Sequence, residues 1–366
     1  MMLSRTADHL FWMARYTERA ENTARLLSVN CEMALMPPAT AAAEAGWRAL
    51  LDLSDLQAAY GRKYADLSQA GVIDFMVRDE SNPVSIKSCL KAARDNARAV
   101  RTSLTTEVWE AINTTWLRLQ AELAEADLER DPVRFLEWVK YRSHLSRGVI
   151  SGTMLNDESK HFITLGTYLE RADNTARLLD AKFQPGNGPR PTQSEAGPEE
   201  FYYWAALLRS VSAFEIYRKV YRDVIDPERV VELLVLHPDM PRSLLYCMHV
   251  VVDILRLVGN HYSKDTERWA GRLHAQLRFG SMEEVSRQGL HRYLKNFMDD
   301  IYALGTRIGR DFLVADRGAA AEPAPLSAPR SAPLSAPLDA PLDEQTTSLS
   351  PALPPSSLPA ASAHAP

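Results

Sequence analysis

One carboxylate and two guanidiniums recur at one spacing in two places, two carboxylates and four guanidiniums in all. Residues 16–27 are YTERAENTARLL and residues 168–179 are YLERADNTARLL, with ten of twelve positions identical. The groups that could do chemistry are Glu18, Arg19, Asn22 and Arg25 in the first stretch. In the second they are Glu170, Arg171, Asn174 and Arg177. A planar guanidinium fork suits a carboxylate or a phosphate, and a carboxylate held in a cleft can act as acid or base. Two arrangements follow. Each Glu could pair with an Arg of the other stretch, locking two helices together. Alternatively, the carboxylates and guanidiniums could line a pocket for an acidic ligand. Ion-pair networks perturb titrations much as active sites do, so the composition of the stretch leaves both open.

His9 and His161 also recur at one offset from the motif and are secondary candidates, more in keeping with packing than with catalysis. Glu158 and His161 have the i,i+3 spacing of helical carboxylate metal sites. Such sites need two of these motifs, and Thr6 stands where the first would be, so no metal is expected. Cys31, Cys89 and Cys247 have no paired spacing, which argues against zinc and against a disulfide framework. There is no Gly-rich phosphate loop, no nucleophile elbow and no CxxC, and no cofactor is expected.

The elements that carry these residues must be helices. Ala, Leu, Arg and Glu are good helix formers. At about 100° per residue, Tyr16, Ala20, Thr23, Ala24 and Leu27 share one side, with Arg15, Glu18, Asn22 and Arg25 on the other. Glu21–Arg25 and Asp173–Arg177 are i,i+4 pairs in the favourable order. The first motif helix is expected over 3–35, ended by Pro37-Pro38. A continuous helix is expected over 39–64. Ser85 to Thr102 forms another, with Ser103 or Thr105 capping the next. Asp131-Pro132 opens a helix that Gly148 and Gly152 should break. Asn156 or Asp157 caps the second motif helix, which runs to about Phe183. At the end of the chain Leu290, Leu294, Phe297, Ile301, Leu304, Ile308 and Phe312 make a sustained apolar stripe. No stretch alternates with period two for long enough to require a sheet.

Further matches extend the repeat beyond the motif. Trp47, Leu50, Leu51 and Tyr60 match Trp204, Leu207, Leu208 and Tyr217. Pro83-x-Ser85-Ile86-x-x-Cys89 matches Pro241-x-Ser243-Leu244-x-x-Cys247. The expected architecture is an all-α, internally duplicated helical bundle, its two units in a pseudo-two-fold arrangement. The units are 1–156 and 157–317, followed by a disordered tail over 318–366. Eleven of the 22 prolines lie in Pro323–Pro366, and such a segment has too little apolar surface to build a core.

A net charge of −5 gives no footprint for nucleic acid. No apolar run is long enough for a membrane span, and the start of the chain lacks the apolar region of a signal peptide. A cytoplasmic protein is expected.

The twin ERA-[ED]-NTARLL motifs, the opening LSRTADHLFWMARY and the PxS[IL]xxC segments together resemble the bacterial alpha-E domain family, over about residues 2–315. That family is all-helical and named for a Glu-Arg motif, which falls here on Glu18-Arg19 and Glu170-Arg171. Its members are typically encoded beside, or fused to, a circularly permuted ATP-grasp protein and a transglutaminase-like protein. The resemblance therefore implies these two as partners in trans, and a role in making, modifying or removing amide bonds in peptides. It implies a non-catalytic helical partner or substrate-presenting subunit of an ATP-grasp-type amide ligase. The alternative is a stand-alone enzyme or a binder of an acidic peptide or phosphorylated ligand, using the paired Glu-Arg motifs. The oligomeric state is left open.

Overall fold

In a computed structural model, residues 2–34, 39–183 and 198–313 are described. The loop or linker that the composition of residues 186–198 suggests lies outside them except for Pro198, which opens a helix, and the tail expected over 318–366 lies outside them too. Among the described residues there are α-helices and one short 3-10 turn, and no strand. The helices are α1 (Ser4–Ala34), α2 (Ala39–Leu53), α3 (Gln57–Gly61), α4 (Gln69–Val77), α5 (Ile86–Ala99), α6 (Thr106–Glu125), α7 (Pro132–Thr153) and α8 (Glu158–Phe183). They continue as α9 (Pro198–Ser210), α10 (Phe214–Tyr221), α11 (Pro227–Val235), α12 (Leu244–Val258), α13 (Lys264–Phe279), α14 (Met282–Gln288) and α15 (Leu290–Phe312).

Most boundaries follow from capping chemistry. Ser85 and Ser243 stand before α5 and α12, and each hydroxyl accepts from the backbone N–H three residues on, at 3.2 and 3.0 Å. Thr105 caps α6 in the same way, and Asp131 with Pro132 at N1 opens α7. The Asp157 carboxylate accepts from Ser159 and Lys160 N–H at the start of α8.

Two expectations are corrected. The helix over 39–64 is broken, because Asp55 adopts a left-handed backbone (φ 53) and Leu56 N–H reaches back to Leu51 O at 2.9 Å. That is a Schellman-type stop, which Asp tolerates better than most residues. The same turn closes α9, with Ser212 at φ 54 and Ala213 N–H on Leu208 O at 2.7 Å. Conversely, α7 runs straight through Gly148 and Gly152 to Thr153. Neither glycine needs its freedom: a Cβ at either would meet nothing within 4 Å.

Helices α1 and α8 are the axis on which the rest is laid. They pack on each other. Helix α1 also packs on α5 and α7, while α8 packs on α12 and α15. Their approach is close because Gly166 lies on the backbone of α1, where a Cβ would run into the Phe11 carbonyl oxygen. From Met13 to Ala24, α1 is buried on every side except at Thr17. The motif's polar face is therefore interior, not a solvated helix surface.

Two apolar clusters flank this axis. One gathers Tyr16, Ala20, Leu27, Trp47, Ile73, Phe75, Cys89, Leu119 and Phe135. The other gathers Leu165, Leu169, Trp204, Leu234, Cys247, Leu294 and Ile301, together with Ala7, Leu10, Phe11, Met13 and Ala14 from the first turns of α1. Helix α1 thus contributes to both cores. Residues 1–330 cluster as one compact unit.

Candidate functional site: the Glu-Arg core

The motif carboxylates are exchanged between the two long helices. Glu170 of α8 accepts from Arg19 Nε of α1 (2.6 Å) and Arg19 Nη2 (3.0 Å). It also accepts from Arg15 Nε at 2.7 Å. Reciprocally, Glu18 of α1 accepts from Arg171 of α8, with Nε at 2.8 Å and Nη2 at 3.3 Å. The Arg19 and Arg171 contacts are two-pronged, the geometry that suits guanidinium to carboxylate. Each of these four side chains is less than 10% exposed.

Around Glu18 the network widens. Arg242, in the loop before α12, donates from Nη1 to Glu18 (2.8 Å) and to Asn22 Oδ1 (3.0 Å), and from Nη2 to Glu21 (2.9 Å). Thr175 of α8 holds that loop by donating to the Arg242 carbonyl at 2.9 Å. Arg147 of α7 donates from Nη1 to Glu18 at 3.0 Å and pairs with Glu21. Arg25 donates from Nε to Glu21 at 2.9 Å, and its Nη2 lies 2.9 Å from His144 Nε2. In the second motif Arg177 turns back onto Asp173 at 3.0 Å.

Electrostatics keep the carboxylates charged. Burial by itself would raise the Glu170 carboxyl, but Arg19 and then Arg15 overcome it and hold it down at about 2. Glu18 is likewise raised by burial and brought below its ordinary value by Arg171 and Arg242. Glu21 lies well below its ordinary value: the hydrogen bond to His144 and the Arg242 and Arg147 charges outweigh its burial. The buried thiols of Cys89 and Cys247 sit near this core, and burial pushes each up to about 12. At neutral pH the site therefore holds ionised carboxylates and protonated thiols, a poor starting point for acid/base or nucleophilic work.

Of the residues predicted from sequence, Glu18, Arg19, Asn22, Arg25, Glu170 and Arg171 come together. Arg177 pairs within its own helix. Asn174 is half-buried and makes no hydrogen bond among the described residues. His9 takes part in a different contact, its Nδ1 2.8 Å from Asn96 Oδ1. His161 is buried with both ring nitrogens unpartnered among the described residues, which differs from a satisfied polar histidine. Among the described residues no group of His, Cys, Asp and Glu could hold a metal ion.

Sequence reasoning missed Arg147, Arg242 and His144. Arg242 had a signal, since it is the middle residue of Pro241-x-Ser243 where the matching segment has Val84. A charge replacing an apolar residue within an otherwise matched segment needs a buried partner. Arg147 and His144 had none, because α7 mixes charge and apolar residues without a repeat to compare.

The chain is 26% identical over 321 residues to an uncharacterized protein of Mycobacterium bovis (strain ATCC BAA-935 / AF2122/97). The same identity over the same length relates it to uncharacterized proteins of two Mycobacterium tuberculosis strains. In each case 82% of this chain is covered but only 35% of the relative, so the chain spans about a third of the length of the curated relatives it matches. No solved structure matches it. The Alpha-E family model, described as a predicted alpha-helical domain with a conserved ER motif, matches residues 2–313. With its two Glu-Arg pairs exchanged between α1 and α8, this chain belongs to the Alpha-E family.

Proposed function

We propose that this chain is a non-catalytic helical partner, acting as scaffold or substrate-presenting subunit, of an ATP-grasp-type amide ligase in a peptide-modification system. The observation that carries the non-catalytic half is the state of Glu18 and Glu170. Both are buried, both are held by guanidiniums, and both stay ionised far below neutral pH. A general acid or base needs a pKa near the working pH. These carboxylates are tuned the opposite way, as ties between helices.

The partner half rests on the family resemblance, whose members are typically encoded with ATP-grasp and transglutaminase-like proteins. The greater length of the mycobacterial relatives is in keeping with it, since in them the matching region is part of a larger polypeptide. ATP turnover by the neighbouring ATP-grasp protein, with candidate amino-acid and peptide acceptors, tests the proposal. Adding this chain is expected to stimulate turnover or change acceptor preference. No effect together with no co-elution would refute it.

A further inference from the structure

The Glu-Arg core is not electrically balanced. Around Glu18 and Glu21 four guanidiniums make direct contacts: Arg25, Arg147, Arg171 and Arg242. Two carboxylates against four permanent cations leave two positive charges uncompensated among the described residues. The side chains of Arg171 and Arg242 are 9% and 7% exposed, so solvent cannot cheaply screen the surplus. Burial lowers Arg242 below its ordinary value, with Arg171 and Arg25 adding to the effect despite Glu18 and Glu21. The surplus is therefore felt at the centre of the cluster.

The unused donors lie at the outer end of that cluster. Arg147 engages both carboxylates through Nη1, and its Nε and Nη2 make no hydrogen bond among the described residues. These two groups form one edge of the guanidinium fork, the edge that grips an oxyanion in two places. The Arg147 side chain is 28% exposed, so the edge can be reached. Arg25 makes its contacts through Nε and Nη2, and its Nη1 has none among the described residues. His144 lies beside both groups, its Nε2 2.9 Å from Arg25 Nη2 and 3.5 Å from Glu21 Oε1. Asn22 supplies an independent sign. Its oxygen must face the Arg242 donor, so its Nδ2 is a true donor, and that atom is buried with no acceptor among the described residues.

We propose that the outer end of the network, where Arg25, His144 and Arg147 meet above Arg242 and Asn22, binds a doubly charged phosphoryl group. The ligand would be inorganic phosphate or a phosphate monoester. Two uncompensated charges match a dianion, and a free fork edge with neighbouring single donors matches several oxygens on one centre. This goes beyond the ligase-partner reading and is tested without any ligase.

The test uses the full chain, with thermal melting and 31P NMR titration. Inorganic phosphate and glycerol 2-phosphate are compared with chloride and with glutarate, all at matched ionic strength. Phosphate is expected to raise the melting temperature saturably over chloride and glutarate. If glycerol 2-phosphate matches it, the monoester is the ligand class, whereas an effect of phosphate alone assigns the free ion. Arg147→Gln is expected to weaken phosphate binding about tenfold or more, for loss of a charge-assisted contact. His144→Gln, at a half-exposed side chain, should weaken it severalfold while the protein stays folded. Arg310→Gln on α15 should leave it unchanged. No saturable shift over chloride would overturn the proposal, and so would an equal shift with glutarate. Wild-type affinity in both Arg147→Gln and His144→Gln would overturn it too. Should Arg147→Gln fail to fold, His144→Gln and the wild-type titration decide.

Discussion

At the scale of residues, the protein spends its strongest polar interactions on joining two helices. Removing one partner of a buried ion pair strands the other charge, a loss of about 3–5 kcal/mol. Glu170→Gln removes the carboxylate that Arg15 and Arg19 share, and Glu18→Gln removes that of Arg171 and leaves Arg242 with Glu21. Each is expected to lower the stability measured by urea unfolding by that amount. A loss below about 1 kcal/mol, the range of exposed pairs, would show that the pairs do not carry the α1–α8 contact. The pH dependence has a definite sign. Glu170 is held at about 2 when folded against 4.5 for the free group. Its contribution is thus fully present above about pH 4.5 and is lost as pH falls toward about 2. Glu18 and Glu21 act in the same direction. Stability should therefore fall steeply below about pH 4.5, and Glu170→Gln should flatten part of that fall.

At the scale of elements, the close approach of α1 and α8 depends on one missing side chain. Gly166→Ala would push a methyl group into the Phe11 carbonyl, with Ala14 also crowded. The helices must separate, which lengthens the Arg19–Glu170 and Arg171–Glu18 contacts. Overpacking of this kind costs about 1–3 kcal/mol, and the melting temperature should drop accordingly. Gly148→Ala on α7 is the control. It is exposed, helical and meets nothing within 4 Å. It should be neutral or stabilise by about 0.5–1 kcal/mol. If both variants melt alike, the crossing is not set by Gly166.

At the scale of the whole molecule, the two sequence repeats do not own separate cores. Ala7, Leu10, Phe11, Met13 and Ala14 belong to the first repeat by sequence but pack in the cluster built mainly from α8 to α15. Residues 1–156 expressed alone would expose that face and leave Glu18 without Arg171 and Arg242. The fragment is expected to show no cooperative thermal transition, whereas residues 1–317 melt in one. A fragment melting as sharply as the longer chain would argue for independent units.

Local chemistry was readable from the chain. Helix class, the Thr105, Asp131 and Asp157 caps, and the apolar stripe of α15 all follow from side chains acting on their own backbone or on one helix face. The break at Asp55 was not readable, because a left-handed residue ends a helix there without Gly or Pro to announce it. The continuity of α7 through Gly148 and Gly152 was not readable either, since packing outweighs a modest propensity penalty.

The sequence by itself determined that two like-patterned helices each carry two acidic and two basic motif residues, and hence that they could neutralise each other. Tertiary structure decided which charges actually meet. It sent Arg19 and Arg171 across to the opposite helix and kept Arg177 on its own. It also brought Arg147 and Arg242 from distant elements onto Glu18 and Glu21. The physical reason is range. Caps and helix faces are set within a few residues of chain, whereas a buried charge is balanced by whatever the fold places within about 4 Å. The positive surplus at Arg25, Arg147 and Arg242 exists only once the fold has placed it there.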